Sequence, residues 1–167
     1  LPESRFEALG TLPYSFTPGE RVTVPVWYRQ LREDPGAVVW CHPALEPFLR
    51  DEYERRALIR DIRPTREDAR PMNQATLLFA DVRREIAEAV LHPLNAGPDA
   101  ATVLQDHLRA LDTAGIRNFF FHTHLALAWQ QRLTPALLAA GFAPTLLLPG
   151  VGDGDVLVFH HAPTTRA

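Results

Sequence analysis

His122 and His124, with one residue between them at the end of a run of three phenylalanines, are the side chains best suited to acid-base chemistry. An imidazole titrates near neutrality, so it can take a proton from an amine and hand it on. The run from Ile116 to Thr123 holds three consecutive phenylalanines and reads as a central strand covered on both sides, with a helix expected on each face. Period-two spacing then points both imidazoles to one face, at the C-terminal edge where α/β sheets hold ligands. The functional reading is a general base for an amine, assisted by Thr123 or Gln130. The plainer reading is two histidines packed against helices and hydrogen-bonded to backbone.

Other constellations fail on context. A His-x-His pair with His160 or His161 as third ligand would suit a metal. If the last strand runs antiparallel beside the central one, however, His160 lies near Ile116 and far from His122, and no metal is expected. Gly150, Gly152 and Gly154 imitate a phosphate loop but join two strands with no helix after them, so they read as turn glycines. Ser4 and Ser15 are the only serines and neither sits in a nucleophile elbow. All 17 basic residues are arginine, which excludes a Schiff-base lysine and a P-loop. Cys41 is the only cysteine, so an internal disulfide and a cysteine-cluster metal site are excluded too.

Composition sets the wider frame. A chain of 167 residues, 46% hydrophobic and 22% charged, has the size and balance of one packed domain, 1–167, which buries roughly two thirds of its unfolded surface. Net charge is −3, and the arginines between Arg50 and Arg70 alternate with acids, so no nucleic acid is expected as partner. No apolar run reaches the roughly 18 residues of a membrane span, and the N-terminus lacks a basic-then-apolar pattern. With one unpaired cysteine, the expectation is a soluble, cytoplasmic protein with no membrane partner. A start at Leu1, without methionine, fits a piece of something longer.

The elements that must position the histidines are legible in the second half. Ala75 to Val82 and Glu85 to His92 flank Arg83-Arg84 as a hairpin, and Pro93 to Pro98 reads as a linker. Asp99 is a natural N-cap for a helix with Ala100, Val103, Leu104, His107, Leu108 and Leu111 on one stripe, stopped at Gly115. After the central strand, Thr134-Pro135 opens a helix over 134–140, following an earlier turn at 127–133, and Gly141 ends it. Thr145 to Leu148 and Asp155 to His161 close the sheet, and the Pro163 to Ala167 tail reads as frayed. In residues 1–70, prolines cut the chain into pieces. Strands are expected at Arg21 to Arg29, Ala37 to Cys41 and Arg56 to Pro64, with a helix over Glu46 to Leu58. The whole is an α/β (α+β) protein with a mixed, mostly antiparallel sheet.

The order helix, strand, helix, hairpin over 99–161, with LLAAGFAP closing the second helix and GDGDVLVF opening the last strand, resembles the C-terminal half of the GNAT superfamily of acyl-CoA-dependent N-acyltransferases. The resemblance covers residues 75–161. It implies a GNAT-like sheet with helices on both faces and acyl transfer, most simply acetyl from acetyl-CoA, to a small-molecule amine. The family's pyrophosphate loop falls on HPLNAGPDAATVLQ, which implies Leu94, Asn95, Ala96, Gly97, Ala100 and Ala101 as acyl-CoA-binding residues. The same stretch has one glycine and no arginine or glutamine before it, and an Asp99 cap would both occupy the helix amides and repel a phosphate. Family glutamates often act through water, which implies Glu88, or Glu85, as a base beside His122 and His124. The family's thiolate acid, a tyrosine, is Leu137 here. That departure keeps open a second reading, a non-catalytic GNAT-like domain that binds a ligand or regulates an unknown partner domain.

Overall fold

The computed structural model describes residues 6–17, 20–65 and 74–161; the tail from Pro163 lies outside them. A five-stranded sheet is built from β5 (Leu77–Arg83), β6 (Glu88–Asn95), β7 (Asn118–His124), β8 (Phe142–Leu148) and β9 (Val156–His161). Their order is β5-β6-β7-β9-β8, with β6 and β7 parallel and every other neighbouring pair antiparallel. Helix α2 (Ala100–Thr113) crosses between β6 and β7, and α3 (Thr134–Ala139) follows a 3₁₀ turn at Gln130–Leu133. The protein is a mixed α/β fold with mostly antiparallel strands.

The N-terminal third forms two smaller sheets. β1 (Glu7–Tyr14) and β2 (Val22–Tyr28) pair as an antiparallel ribbon, which tolerates Pro13 and Pro25 because each strand has one free edge for the missing N–H. β3 (Ala37–Cys41) and β4 (Arg60–Pro64) pair in parallel around α1 (Glu46–Arg55). The helix ends before Leu58 because Ala57 takes a left-handed conformation, with Ala57 N–H donating to Glu54 O and Leu58 N–H to Tyr53 O. Strand β4 accordingly starts at Arg60, later than the alternation from Arg56 predicts.

Packing corrects the expectation of helices on both faces. Leu49 and Tyr53 of α1, Leu104 of α2 and Leu137 of α3 share one core with Ala89, Leu91, Phe119, Phe121, Leu157 and Phe159. The opposite sheet face, with Val90, Phe120, Leu146, Val156 and Val158, packs against Leu9, Leu12, Val26 and Tyr28 of the β1–β2 ribbon. The triple phenylalanine is buried on both sides, as its composition requires, but a ribbon rather than a helix covers the second side.

Candidate functional site

The parallel ladder between β6 and β7 is short. It pairs Glu88–Leu91 with Asn118–Phe121, whereas β6 continues to Asn95 and β7 to His124. Each strand keeps its outer neighbour, Pro93 opposite Leu78 and His122 opposite Val158, but past Leu91 and Phe121 the two have no register with each other. Pro93 has no N–H to offer, and a proline is tolerated in an internal strand only where the ladder does not need it. Of the stretch read as a linker, Pro93 to Pro98, the first three residues are therefore the end of β6 that has left β7, and the rest is the loop before α2.

At the mouth of this divergence lie His92, His122 and His124. The His92 and His122 rings meet edge to face, with centroids 5.2 Å apart. Burial lowers the His122 pKa to about 4, and His92 and His124 push in the same direction. Burial also lowers His92, against the pull of Asp81. His124 is fixed through its main chain: its N–H donates to Gln130 Oε1 at 2.6 Å, and its carbonyl accepts from Gln131 Nε2 at 2.9 Å. Gln130 thus positions the histidine, but Thr123 does not join it. Thr123 lies on the opposite strand face, fully buried, with no hydrogen-bond partner for its hydroxyl among the described residues.

The low pKa of His122 has a direct consequence for stability. An imidazole held near 4 in the folded state and near 6.5 in the unfolded chain stabilises fully above 6.5 and loses that contribution as pH falls toward 4. His122→Leu is expected to reduce the stability difference between pH 7 and pH 4.5 by roughly 2 to 3 kcal/mol, measured by urea unfolding at both pH values. An unchanged difference would show that His122 is not the buried neutral group described.

The start of α2 departs from the sequence reading. Asp99 makes no side-chain bond to the helix amides; its Oδ1 instead accepts from Thr76 N–H at 2.7 Å. The cause is Gly97, where a Cβ would stand 2.2 Å from Gln74 O and 2.6 Å from Thr76 N. The absence of a side chain lets the 74–76 segment lie against the loop and present its amide to Asp99. That bond holds the Asp99 carboxyl below its ordinary range. Asp99 therefore leaves the first helix amides uncapped.

Beside these amides opens a cavity of about 520 Å³, walled by Gly97, Pro98, Ala100 and Ala101 on one side and by Gln131, Arg132 and Pro135 on the other. Gln131 is fully buried and its Oε1 lacks a partner among the described residues. Through its Nε2 it joins this cavity to the His124 carbonyl. Of the residues expected to hold acyl-CoA, Gly97, Ala100 and Ala101 line the cavity. Leu94 is exposed, Asn95 donates to Ala75 O, and Ala96 packs in the core.

Glu88 does not join the histidines. It sits at the first β6–β7 pair, four residues and about 13 Å of strand from His92. It is buried, accepts from Asn118 Nδ2 at 3.3 Å and faces Arg83 at 3.4 Å. Burial raises its pKa against the lowering effect of Arg83 and Asn118. His160 bonds the same Asn118 at 2.8 Å, at the end of the sheet away from His122 and His124. Glu85 is exposed in the turn before β6. No group of three or more His, Cys, Asp or Glu side chains suited to a metal ion occurs among the described residues.

Two features escaped the sequence reading. His92 looked like a strand-end residue before a proline, although its period-two spacing from Glu88 and Val90 would place it on the face of His122. The other is a buried network in which Arg60 donates to Asp34 at 2.7 and 2.8 Å and to Asp155 at 2.6 and 3.2 Å, while the Tyr53 hydroxyl donates to Asp155 at 2.8 Å. Burial works against the Arg60 cation, but both carboxylates outweigh it and raise its pKa. Burial likewise opposes Asp34 ionisation, and the bonds from Arg60 and Ile59 N–H hold that carboxyl below its usual range. Comparison with protein-family models, curated proteins and solved structures finds no match to this chain.

Proposed function

We propose that the protein is a divergent acyl-CoA-dependent N-acyltransferase of GNAT-like architecture, acting on a small-molecule amine. The observation that carries this reading is the early end of the β6–β7 ladder beside a cavity at uncapped helix amides. An extended, hydrogen-bonding chain fits between two strand edges that have lost each other, and a pyrophosphate fits helix N-terminal amides. The amides of Ala101 and Thr102, the Arg132 guanidinium and Gln131 are the groups suited to hold such a ligand. Acyl-CoA would supply an activated acyl group. His124 takes the amine proton as the new N–C bond forms, the thioester C–S bond breaks and coenzyme A leaves as its thiolate, and Gln130 and Gln131 hold the His124 peptide in place.

A second reading, a ligand-binding or regulatory domain without turnover, is favoured by Leu137, which is fully buried in the core where the family carries its acid. The test begins with binding. Acetyl-CoA and longer acyl-CoAs are expected to raise the melting temperature, and Ala101→Glu is expected to shrink the rise by the equivalent of at least a tenfold loss of affinity. Ala101 is exposed, and a carboxylate at a helix start stabilises the helix by a few tenths of a kcal/mol while repelling an anion by about 1.4 kcal/mol or more, tenfold in affinity. A variant of unchanged or slightly higher stability that binds acyl-CoA as the wild type does would remove the site. Binding without turnover of any amine would select the regulatory reading.

A further inference from the structure

A second cavity, of about 550 Å³, lies at the same end of the sheet and has no role in the donor site just described. Its walls are the 28–37 segment, with Tyr28, Arg29, Leu31, Arg32 and Glu33, and the loop carrying Pro149, Gly150, Gly154 and Asp155. One buried arginine ties the two walls together. Arg60 bonds Asp34, which also accepts from the Gly36 and Ile59 amides, and Asp155, whose Oδ1 accepts from Gly150 N–H. The floor is therefore built in advance of any ligand, and it keeps one net negative charge, two carboxylates sharing the single guanidinium of Arg60, which suits the amine end of a ligand.

The remaining charged side chains of the walls are Arg29, Arg32 and Glu33, so the rim has a positive excess of one charge (two arginines less one glutamate). Tyr28 adds a phenol that burial, and then Asp34, keep protonated and thus able to donate. At Asp155 the cavity wall also adjoins the main chain of the segment that carries His124. Asp155 O accepts from Leu125 N–H at 2.9 Å, and the next residue, Val156, pairs with His124. The His124 segment is thus flanked by the first cavity through Gln131 and by the second through Leu125 and Asp155.

We propose that this second cavity holds the acceptor, and that the acceptor is an amine carrying an anionic group, of which an α-amino acid is the simplest. The proposal rests on the acyltransferase reading for the word acceptor, but not for the binding of the ligand. The guanidinium of Arg32, with that of Arg29, holds the anionic end, leaving the amine free to point toward the strand end at His124.

Calorimetry on the whole protein, without acyl-CoA, separates the possibilities. Leucine and phenylalanine, their decarboxylated counterparts isoamylamine and phenethylamine, and phosphoethanolamine are the probes. Leucine or phenylalanine is expected to bind at least tenfold tighter than its decarboxylated counterpart, and Arg32→Ala to erase that ratio while Arg32→Lys restores part of it. Preference for phosphoethanolamine over both amino acids, also lost in Arg32→Ala, would keep the anionic amine and replace carboxylate by phosphate. Equal binding of acids and decarboxylated amines, no binding of any probe at millimolar concentration, or an unchanged ratio in Arg32→Ala would overturn the proposal. Because acyl-CoA is absent, anionic-amine binding together with a failed acyl-CoA titration would retire the enzyme reading and leave the pocket standing.

Discussion

His124→Ala is expected to lower kcat for acyl transfer about a hundredfold while leaving acyl-CoA affinity within a factor of two. A positioned general base contributes on the order of 10²- to 10⁴-fold, and the lower figure suits a base that acts on an already neutral amine. His122→Ala is expected to cost less, about tenfold, for a physical reason. Burial among neighbouring imidazoles sets the His122 pKa near 4, roughly three units below the value at which a base works best near neutral pH. His122 therefore stays neutral and mainly shapes the face on which His124 works. Wild-type turnover in His124→Ala across a panel of amines would move the base elsewhere, and Glu88 could not replace it, being at the far end of the ladder.

What the sequence made legible follows from the range over which each signal acts. The stripe from Ala100 to Leu111 and the Thr134-Pro135 start are local, and both helices lie where those signals put them. The phenylalanine run required burial on two faces, yet burial does not say which element supplies it. A ribbon does so here: its second strand, with Val22, Val24 and Val26, falls within the strand expected over Arg21 to Arg29, but its first, Glu7–Tyr14, was not foreseen. Asp99 met every local criterion for a cap. It was drawn away by Thr76, 23 residues earlier, because Gly97 admits that backbone, and no pattern within the helix encodes such a contact. His122 and His124 were legible by spacing alone. His92 required the register of β6 against β7, and the Arg60 network joins residues 26 and 95 positions apart. Only folding brings those together.

That network carries the largest expected loss of stability. Asp155→Ala should lower the unfolding free energy by about 3 to 5 kcal/mol, because it removes one partner of a buried pair and leaves the other charged. Arg60, with 6% of its side chain exposed, would keep Asp34 but lose the acceptor on its Nε, and the Tyr53 hydroxyl and Gly150 amide would lose theirs. For a chain of this length the melting temperature should fall by roughly 10 °C or more. Asp155→Asn keeps one acceptor oxygen and should lose about half as much. A double-mutant cycle fixes the cause: in an Arg60→Ala background the same Asp155→Ala change should cost at least 2 kcal/mol less, since the two Arg60–Asp155 bonds are then already absent. Additive losses would mean that Asp155 acts through Tyr53 and Gly150 alone. Hydrogen exchange distinguishes the two outcomes locally. If Arg60 joins the walls of the second cavity, Asp155→Ala must raise exchange at Gly36 and Ile59, whose amides bond Asp34, as well as at Gly150; if it does not, only Gly150 should respond.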